Sequence, residues 1–149
     1  MSTLAKPISA DGASPAGDPD DCRIRSQVNG LLAGLYPRHE LAERRRDRRY
    51  PFPYLIHLTP MDGEGTGPAG EALVVVGKHL SQRGLGFYHP MPLPHRRVIA
   101  SLQTDDGRWV GFLMDLSWCR FTREAWYESG GRFLGVVPSP MASPKAVAG

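Results

Sequence analysis

The amino-acid sequence predicts an all-β domain, built as an antiparallel barrel or a sandwich, with one short helix before it and a disordered tail at each end. Apolar residues alternate with a period of two from Phe52 onward, which is the period of a strand. Turn-forming residues interrupt this alternation every roughly 8 to 15 residues, and no helical period lies between the interruptions. Six short segments of this kind are typical of small antiparallel barrels and sandwiches.

The predicted helix lies directly before the β domain. Its apolar residues recur at spacings of three and four, as on one face of a helix, and Pro37 ends the pattern. These residues are Ile24, Val28, Leu31, Leu32 and Leu35. Residues 21–43 are therefore expected to form a short helix and a linker, and residues 44–137 the β domain. Residues 1–20 and 138–149 are rich in Ala, Ser, Pro, Gly and Asp, which predicts disordered tails.

Six strands are predicted along the β domain. The first follows the apolar residues from Phe52 to Leu58, where the prolines suit the start of a strand or a sheet edge. The other five are predicted at Glu71–Leu80, Gly84–His89, Arg96–Thr104, Trp109–Phe121 and Gly131–Val137. Small and polar residues predict a tight turn at Ser81–Gly84 and a hairpin turn at Asp105–Gly107.

The composition favours a soluble, cytoplasmic protein with a single folded domain. The chain has 149 residues, and no apolar run approaches the roughly 18 that a membrane span requires. The first 21 residues lack the apolar stretch of a secretory signal. Cys22 and Cys119 lie too far apart in sequence to indicate a disulfide framework or a cysteine metal site.

None of the common enzyme signatures is complete. A phosphate-binding P-loop would need glycine where the chain has Ala72, and a dinucleotide fingerprint would need glycine where it has His89. No nucleophile elbow occurs, and the five histidines lack the spacing of metal ligands. The sequence therefore predicts a non-catalytic protein with neither a metal nor a cofactor.

Arginine is concentrated in one short segment. The net charge is only +3, yet five of the 15 arginines lie between Arg44 and Arg49, interrupted by Asp47 alone. Guanidinium groups offer planar, paired donors that suit phosphate oxygens and the O6/N7 edge of guanine, and their flat faces stack on bases. This segment favours the binding of a small, flat, doubly anionic nucleotide. The alternative is a solvated basic hinge, which charge runs commonly are.

A second candidate motif is the segment from His79 to Gly84, at a turn between two predicted strands. The Ser81 hydroxyl can donate to an anion or cap the turn, and Arg83 adds a cation. Gly84 allows a close approach that a Cβ would block. By itself such a segment is an ordinary hairpin turn, so its interest lies in its occurrence together with the arginine segment.

The segments ERRRDRRYPF and HLSQRGLGFYH together resemble the two motifs of the PilZ domain family, a receptor module for cyclic di-GMP. The family pattern RRxxxR matches Arg44, Arg45 and Arg49, and an alternative register uses Arg44 and Arg48 as the spaced pair. The pattern D/N-x-S-x-x-G matches His79, Ser81 and Gly84. The resemblance covers about two thirds of the chain, from Arg44 to Val137.

This resemblance implies a six-stranded antiparallel barrel that binds one or two cyclic di-GMP molecules at its rim, with the arginine segment folding over the ligand. The ligand-binding residues that it implies, including the neighbouring cations, are Arg44, Arg45, Arg48, Arg49, His79, Ser81, Arg83 and Gly84. A further protein partner is expected for such a sensor, and no membrane contact is expected.

One departure from the family pattern leaves a second function open. His79 stands where the family has Asp or Asn, and an imidazole cannot accept two hydrogen bonds as a carboxylate can. The alternative is thus a PilZ-like module that has lost its ligand and binds a protein. A third interpretation is a grip on single-stranded nucleic acid, with Tyr50, Phe52 and Tyr54 stacking on bases. The near-zero charge outside the arginine segment argues against it.

Overall fold

The computed structural model of the chain describes residues 19–36, 48–61 and 70–142. These residues form one helix, a barrel of six strands, a two-residue strand at its edge and a short 3₁₀ helix. In chain order the elements are α1 (Pro19–Leu35), β1 (Tyr50–Pro51), β2 (Leu55–Pro60), β3 (Leu73–Leu80), β4 (Gly84–His89), β5 (Arg97–Gln103), β6 (Trp109–Phe121), β7 (Tyr127–Val137) and the 3₁₀ helix (Pro140–Ala142).

The sheet closes into a barrel because β3 pairs on both sides. Its first half pairs with β2 and its second half with β4, and the sheet runs β2-β5-β6-β7-β4 between them. Every neighbouring pair is antiparallel. The expectation of a six-stranded antiparallel barrel is therefore confirmed, and the sandwich alternative is excluded.

The first predicted strand is divided in two. β1 pairs with the end of β3, and the chain then bends before β2 begins at Leu55. Pro53 has no N–H to donate to a ladder, and the Gly77 N–H donates instead to the Tyr54 carbonyl at 2.8 Å. A Cβ on Gly77 would lie 2.2 Å from the Phe52 carbonyl oxygen, so only glycine lets the backbone at Phe52 pass this close to β3. As a result Phe52 is buried while Tyr54 is 48% exposed.

Helix α1 covers the barrel end that carries the β3–β4 and β5–β6 turns. It buries Ile24, Val28, Leu31 and Leu32, four of the five residues that predicted it. The Gln82 side-chain amide donates to the Asn29 oxygen at 3.0 Å, which ties the helix to the β3–β4 turn. The helix begins at Pro19, two residues before its predicted start, because proline suits the first helical turn and Asp20 and Asp21 follow it there.

The segment after β7 remains attached to the barrel for several residues. The Ser139 hydroxyl donates to Ser101 Oγ at 2.7 Å, and both side chains are buried. The Met141 N–H donates to Ser139 Oγ at 3.0 Å within the 3₁₀ helix. A 3₁₀ helix at Pro140–Ala142 thus lies beyond residue 138, where the sequence predicted the tail to begin. Residues 143–149 and 1–18 lie outside the described part of the chain.

Among the described residues, no helix could span a membrane, because α1 is too short and too polar to do so.

Candidate functional site

The predicted turn between β3 and β4 is capped by its own serine. The Ser81 N–H donates to the Gly84 carbonyl at 2.9 Å. Ser81 Oγ accepts hydrogen bonds from the N–H groups of Arg83 and Gly84, each at 3.2 Å, and its hydroxyl donates to the Gly84 carbonyl at 3.3 Å. The side chain is buried. Of the two roles expected for Ser81, the structure therefore contains the turn cap.

Gly84 is required by packing within the barrel. It pairs with Arg132 on β7, beside Gly131. A Cβ at Gly84 would lie 1.9 Å from the Gly131 carbonyl oxygen, a distance at which atoms overlap. The close approach expected at this glycine is thus made by the backbone of β7.

The arginine segment enters the barrel beside this turn. Tyr50 pairs with Leu80 and Pro51 with His79. Arg49 precedes Tyr50 and Ser81 follows Leu80, so these two residues flank the same strand pair. The Arg48 guanidinium carbon lies 5.2 Å from the centroid of the Tyr50 ring, within cation–π range. Both arginines are exposed. Arg44 and Arg45 lie outside the described residues, so the structure brings together Arg48, Arg49 and the second motif.

His79 projects from β3 over the neighbouring strand. Its ring covers Gly86 of β4, since a Cβ on Gly86 would lie 2.7 Å from both Cε1 and Nε2 of the imidazole. Burial lowers the pKa of His79, and the positive charges of Arg49 and Lys78 lower it further against the opposing charge of Glu128. The ring is therefore mainly neutral at pH 7. Its buried Nδ1 has no hydrogen-bond partner among the described residues.

The row of residues that starts at His79 continues across three more strands. Gly86 pairs with Gly130 on β7, and Gly130 pairs with Trp118 on β6. A Cβ on Gly130 would lie 2.5 Å from the Trp118 indole, so this ring covers its glycine as His79 covers Gly86. Trp118 is 40% exposed. We call His79, Gly86, Gly130 and Trp118 the ring row. Its two aromatic rings, those of His79 and Trp118, lie on the outer surface of the barrel, which we call the outer wall.

A buried carboxylate lies beside the ring row. Glu128 is 4% exposed, and Lys78 donates to its Oε2 at 2.5 Å. Arg120 donates to its Oε1 from Nε at 3.2 Å and from Nη2 at 3.0 Å. Burial raises the pKa of Glu128, but the hydrogen bonds and charges of Lys78 and Arg120 outweigh burial and hold it below its usual range. This trio connects β3, β6 and β7 on the outer wall.

We expect Glu128→Gln to lower the free energy of unfolding at pH 7 by about 1.5–3 kcal/mol, the range for hydrogen bonds to charged groups. Because the pKa of Glu128 is lower in the folded chain, its ionised form stabilises the fold above the unfolded pKa. That contribution disappears as the pH falls through the folded pKa. We expect urea unfolding at neutral and acidic pH to show that the difference in the free energy of unfolding between the wild type and Glu128→Gln becomes smaller on acidification. Glu124→Gln, at an exposed turn position, is the matched control.

Sequence patterns did not identify Lys78, Trp118, Arg120 or Glu128 as neighbours of the motifs. These residues come together because β7 pairs with β4 on one side and with β6 on the other, and the β4–β7 pairing is non-local. The available signal was the pair Gly130-Gly131, although the predicted strand began only at Gly131 and β7 begins at Tyr127. Strand glycines commonly mark a close approach of another group. Within the described ranges, no group of three His, Cys, Asp or Glu side chains is arranged to hold a metal ion.

Comparisons with known proteins find solved structures with low sequence identity. No protein-family model matches the sequence, and no significant match is found among curated proteins. The chain is similar to the inhibitor of motility MotI/DgrA of Bacillus subtilis, with a TM-score of 0.47 and 11% identity over 64% of this chain and 44% of that one. It is also similar to K. pneumonia MrkH in complex with c-di-GMP, with a TM-score of 0.43 and 16% identity over 62% of this chain and 45% of that one. The chain spans less than half the length of these solved proteins.

Proposed function

We propose that this chain is a non-catalytic, PilZ-type receptor for cyclic di-GMP that acts in a bacterial cytoplasm. In this proposal the arginine segment folds over the dinucleotide at the barrel rim, beside the Ser81–Gly84 turn. The observation that carries the proposal is the pairing of β1 with β3, which brings Arg49, the last residue of the first motif, beside the second motif. Arg49 lies close enough to His79 for its charge to contribute to the lowered pKa of that imidazole.

The chemistry at this rim suits a guanine dinucleotide. The guanidinium groups of Arg48 and Arg49 can donate to phosphate oxygens and to the O6/N7 edge of guanine. The exposed indole of Trp118 offers a face on which a base can stack. Arg44 and Arg45 enter the proposal through the family motif alone.

A binding role also fits the way in which the polar groups are used. Ser81, the hydroxyl nearest to His79 in the motif, is occupied within its turn, so it is not available as an activated nucleophile. The arginines remain exposed. The proposal therefore assigns recognition, and no reaction, to this rim.

Isothermal titration calorimetry with the full chain tests the proposal. We expect heat of binding with cyclic di-GMP, together with a rise in melting temperature. Cyclic di-AMP is the matched ligand control, because adenine has an amino donor where guanine has the O6 acceptor; its binding should be at least tenfold weaker. The absence of both heat and thermal shift at high-micromolar cyclic di-GMP would exclude the proposal.

A second candidate function is a protein-interaction module that no longer binds the nucleotide. His79 favours this second function. A neutral imidazole has one hydrogen-bond acceptor, whereas the carboxylate of the family motif has two oxygens that accept from two donors at once. The lowered pKa of His79 makes that neutral form the main one at pH 7.

The substitution His79→Asp discriminates between the two functions. We expect it to increase the affinity for cyclic di-GMP at least fivefold, because restoring a bidentate pair is worth about 1–3 kcal/mol. Calorimetry on the wild type, His79→Asp and His79→Asn measures the effect; Asn keeps the size without the charge and should be intermediate. If the wild type shows no binding and His79→Asp gains it, the pocket survives but the native function is not nucleotide binding, as the second candidate function requires. If neither protein binds, the rim is not a nucleotide site.

A further inference from the structure

A charged cavity lies between α1 and the β3–β4 turn, apart from the ring row. It has a volume of about 140 Å³ and a floor of two buried apolar side chains. Its polar lining comes from Asp21 and Arg25 of α1, Gln82 and Arg83 of the turn, and Arg132 of β7. Neither His79 nor Arg49 lines this cavity. The sequence grouped Arg83 with the nucleotide site, whereas its side chain borders this cavity.

The three arginines around the cavity are unpaired within the described ranges. Several other barrel arginines have carboxylate partners: Arg96 and Arg97 lie 3.1 and 3.7 Å from Asp115, and Arg120 lies 3.0 Å from Glu128. The guanidinium groups of the cavity have no ion pair with any residue of 19–36, 48–61 or 70–142. Three like charges around one small space oppose each other, and Asp21 is the one carboxylate in the lining. The cavity is therefore complementary to an anion.

We propose that this cavity binds one phosphate-class oxyanion, either free phosphate or the phosphoryl group of a larger ligand. Guanidinium groups bind such oxygens through paired, charge-assisted hydrogen bonds. The volume suits a single tetrahedral anion with a few waters, since a water in the liquid occupies about 30 Å³. The Gln82 amide, held by Asn29, lies on the same wall. An anion here would join α1, the turn and β7.

The probe for the test is inorganic phosphate, added to the full chain. We expect a saturable rise in melting temperature that sodium chloride of equal ionic strength does not produce. Arg25→Ala and Arg132→Ala should each weaken phosphate binding at least tenfold, and Arg123→Ala on an exposed turn should leave it unchanged. General salting effects of phosphate persist in every variant, so the difference between variants isolates the site.

Asp21→Asn is expected to change the affinity for phosphate in the opposite direction to the arginine variants. Removing this carboxylate should tighten phosphate binding several-fold, and its measurement does not depend on the folding of any arginine variant. Arg25→Ala should leave the binding of cyclic di-GMP unchanged, which separates this cavity from the proposed nucleotide site. Equal responses to phosphate in all arginine variants, or a response no larger than that to chloride, would overturn the proposal.

Discussion

Arg49→Ala is expected to weaken the binding of cyclic di-GMP at least fivefold. Among the described arginines, Arg49 is the one whose charge acts on His79, and it adjoins the strand pair next to Ser81. Loss of a bidentate guanidinium contact to guanine costs about 1–3 kcal/mol, or roughly 5- to 150-fold in affinity. Calorimetry on the wild type and on the variant measures the change directly.

Two controls separate a specific contact from general charge attraction. Arg123→Ala removes the same charge from the exposed β6–β7 turn and should leave affinity unchanged. In addition, the pKa of His79 should rise in Arg49→Ala, because the Arg49 charge helps to lower it; an NMR titration of the imidazole tests this without ligand. Equal losses at Arg49 and Arg123 would indicate unspecific attraction. Unchanged affinity in Arg49→Ala would place the ligand elsewhere.

The parts of the fold that follow from local chemistry could be predicted from sequence. The Asp105–Gly107 turn is one example, since Gly107 has a φ of +91°, a conformation that favours glycine. The Ser81–Gly84 turn is another, because its serine and glycine meet within four residues. The apolar spacing of α1 likewise identified the side chains that it buries.

Closure of the barrel depends on contacts that alternation does not encode. A period of two is the same in a sandwich and in a barrel, and the distinction rests on β3 pairing with both β2 and β4. The bend at Phe52–Tyr54 has the same origin. Its cause is Gly77, on a different strand, which lets the backbone cross it. An apolar pattern alone therefore predicted one continuous strand where the chain forms two.

For the candidate site, the sequence likewise predicted the residues of the two local motifs but not the residues that other strands bring to them. The motif residues were identified because they lie close together in sequence, and the β1–β3 pairing brings Arg49 beside the second motif. Glu128 and Trp118 could not be assigned to this wall, since their positions depend on the register of β7 against β4 and β6. Glu128 in particular appears as an ordinary charged residue in sequence, whereas in the fold it is buried between two cations.

Gly84→Ala is expected to destabilise the chain by at least about 3 kcal/mol, at the upper end of the range for overpacking a well-packed interior. The reason is steric, because a Cβ at this position would lie 1.9 Å from the Gly131 carbonyl oxygen and 3.0 Å from its carbon. Both atoms belong to the backbone of a paired strand, so they cannot move aside as a flexible side chain can. Relief requires β4 and β7 to separate, which breaks part of the barrel. Thermal unfolding should show a melting temperature lower by roughly 10 °C.

Gly30→Ala in α1 is the matched control, with an effect of opposite sign. Gly30 is exposed, and a Cβ there would have no atom within 4 Å. Alanine in a helix is favoured over glycine by roughly 0.5–1 kcal/mol, so this variant should melt slightly higher than the wild type. If Gly84→Ala melts like the wild type and loses only cyclic di-GMP binding, the glycine of the second motif serves the approach of the ligand. If it melts far lower, while Gly30→Ala does not, the motif glycine is explained by the contact between β4 and β7.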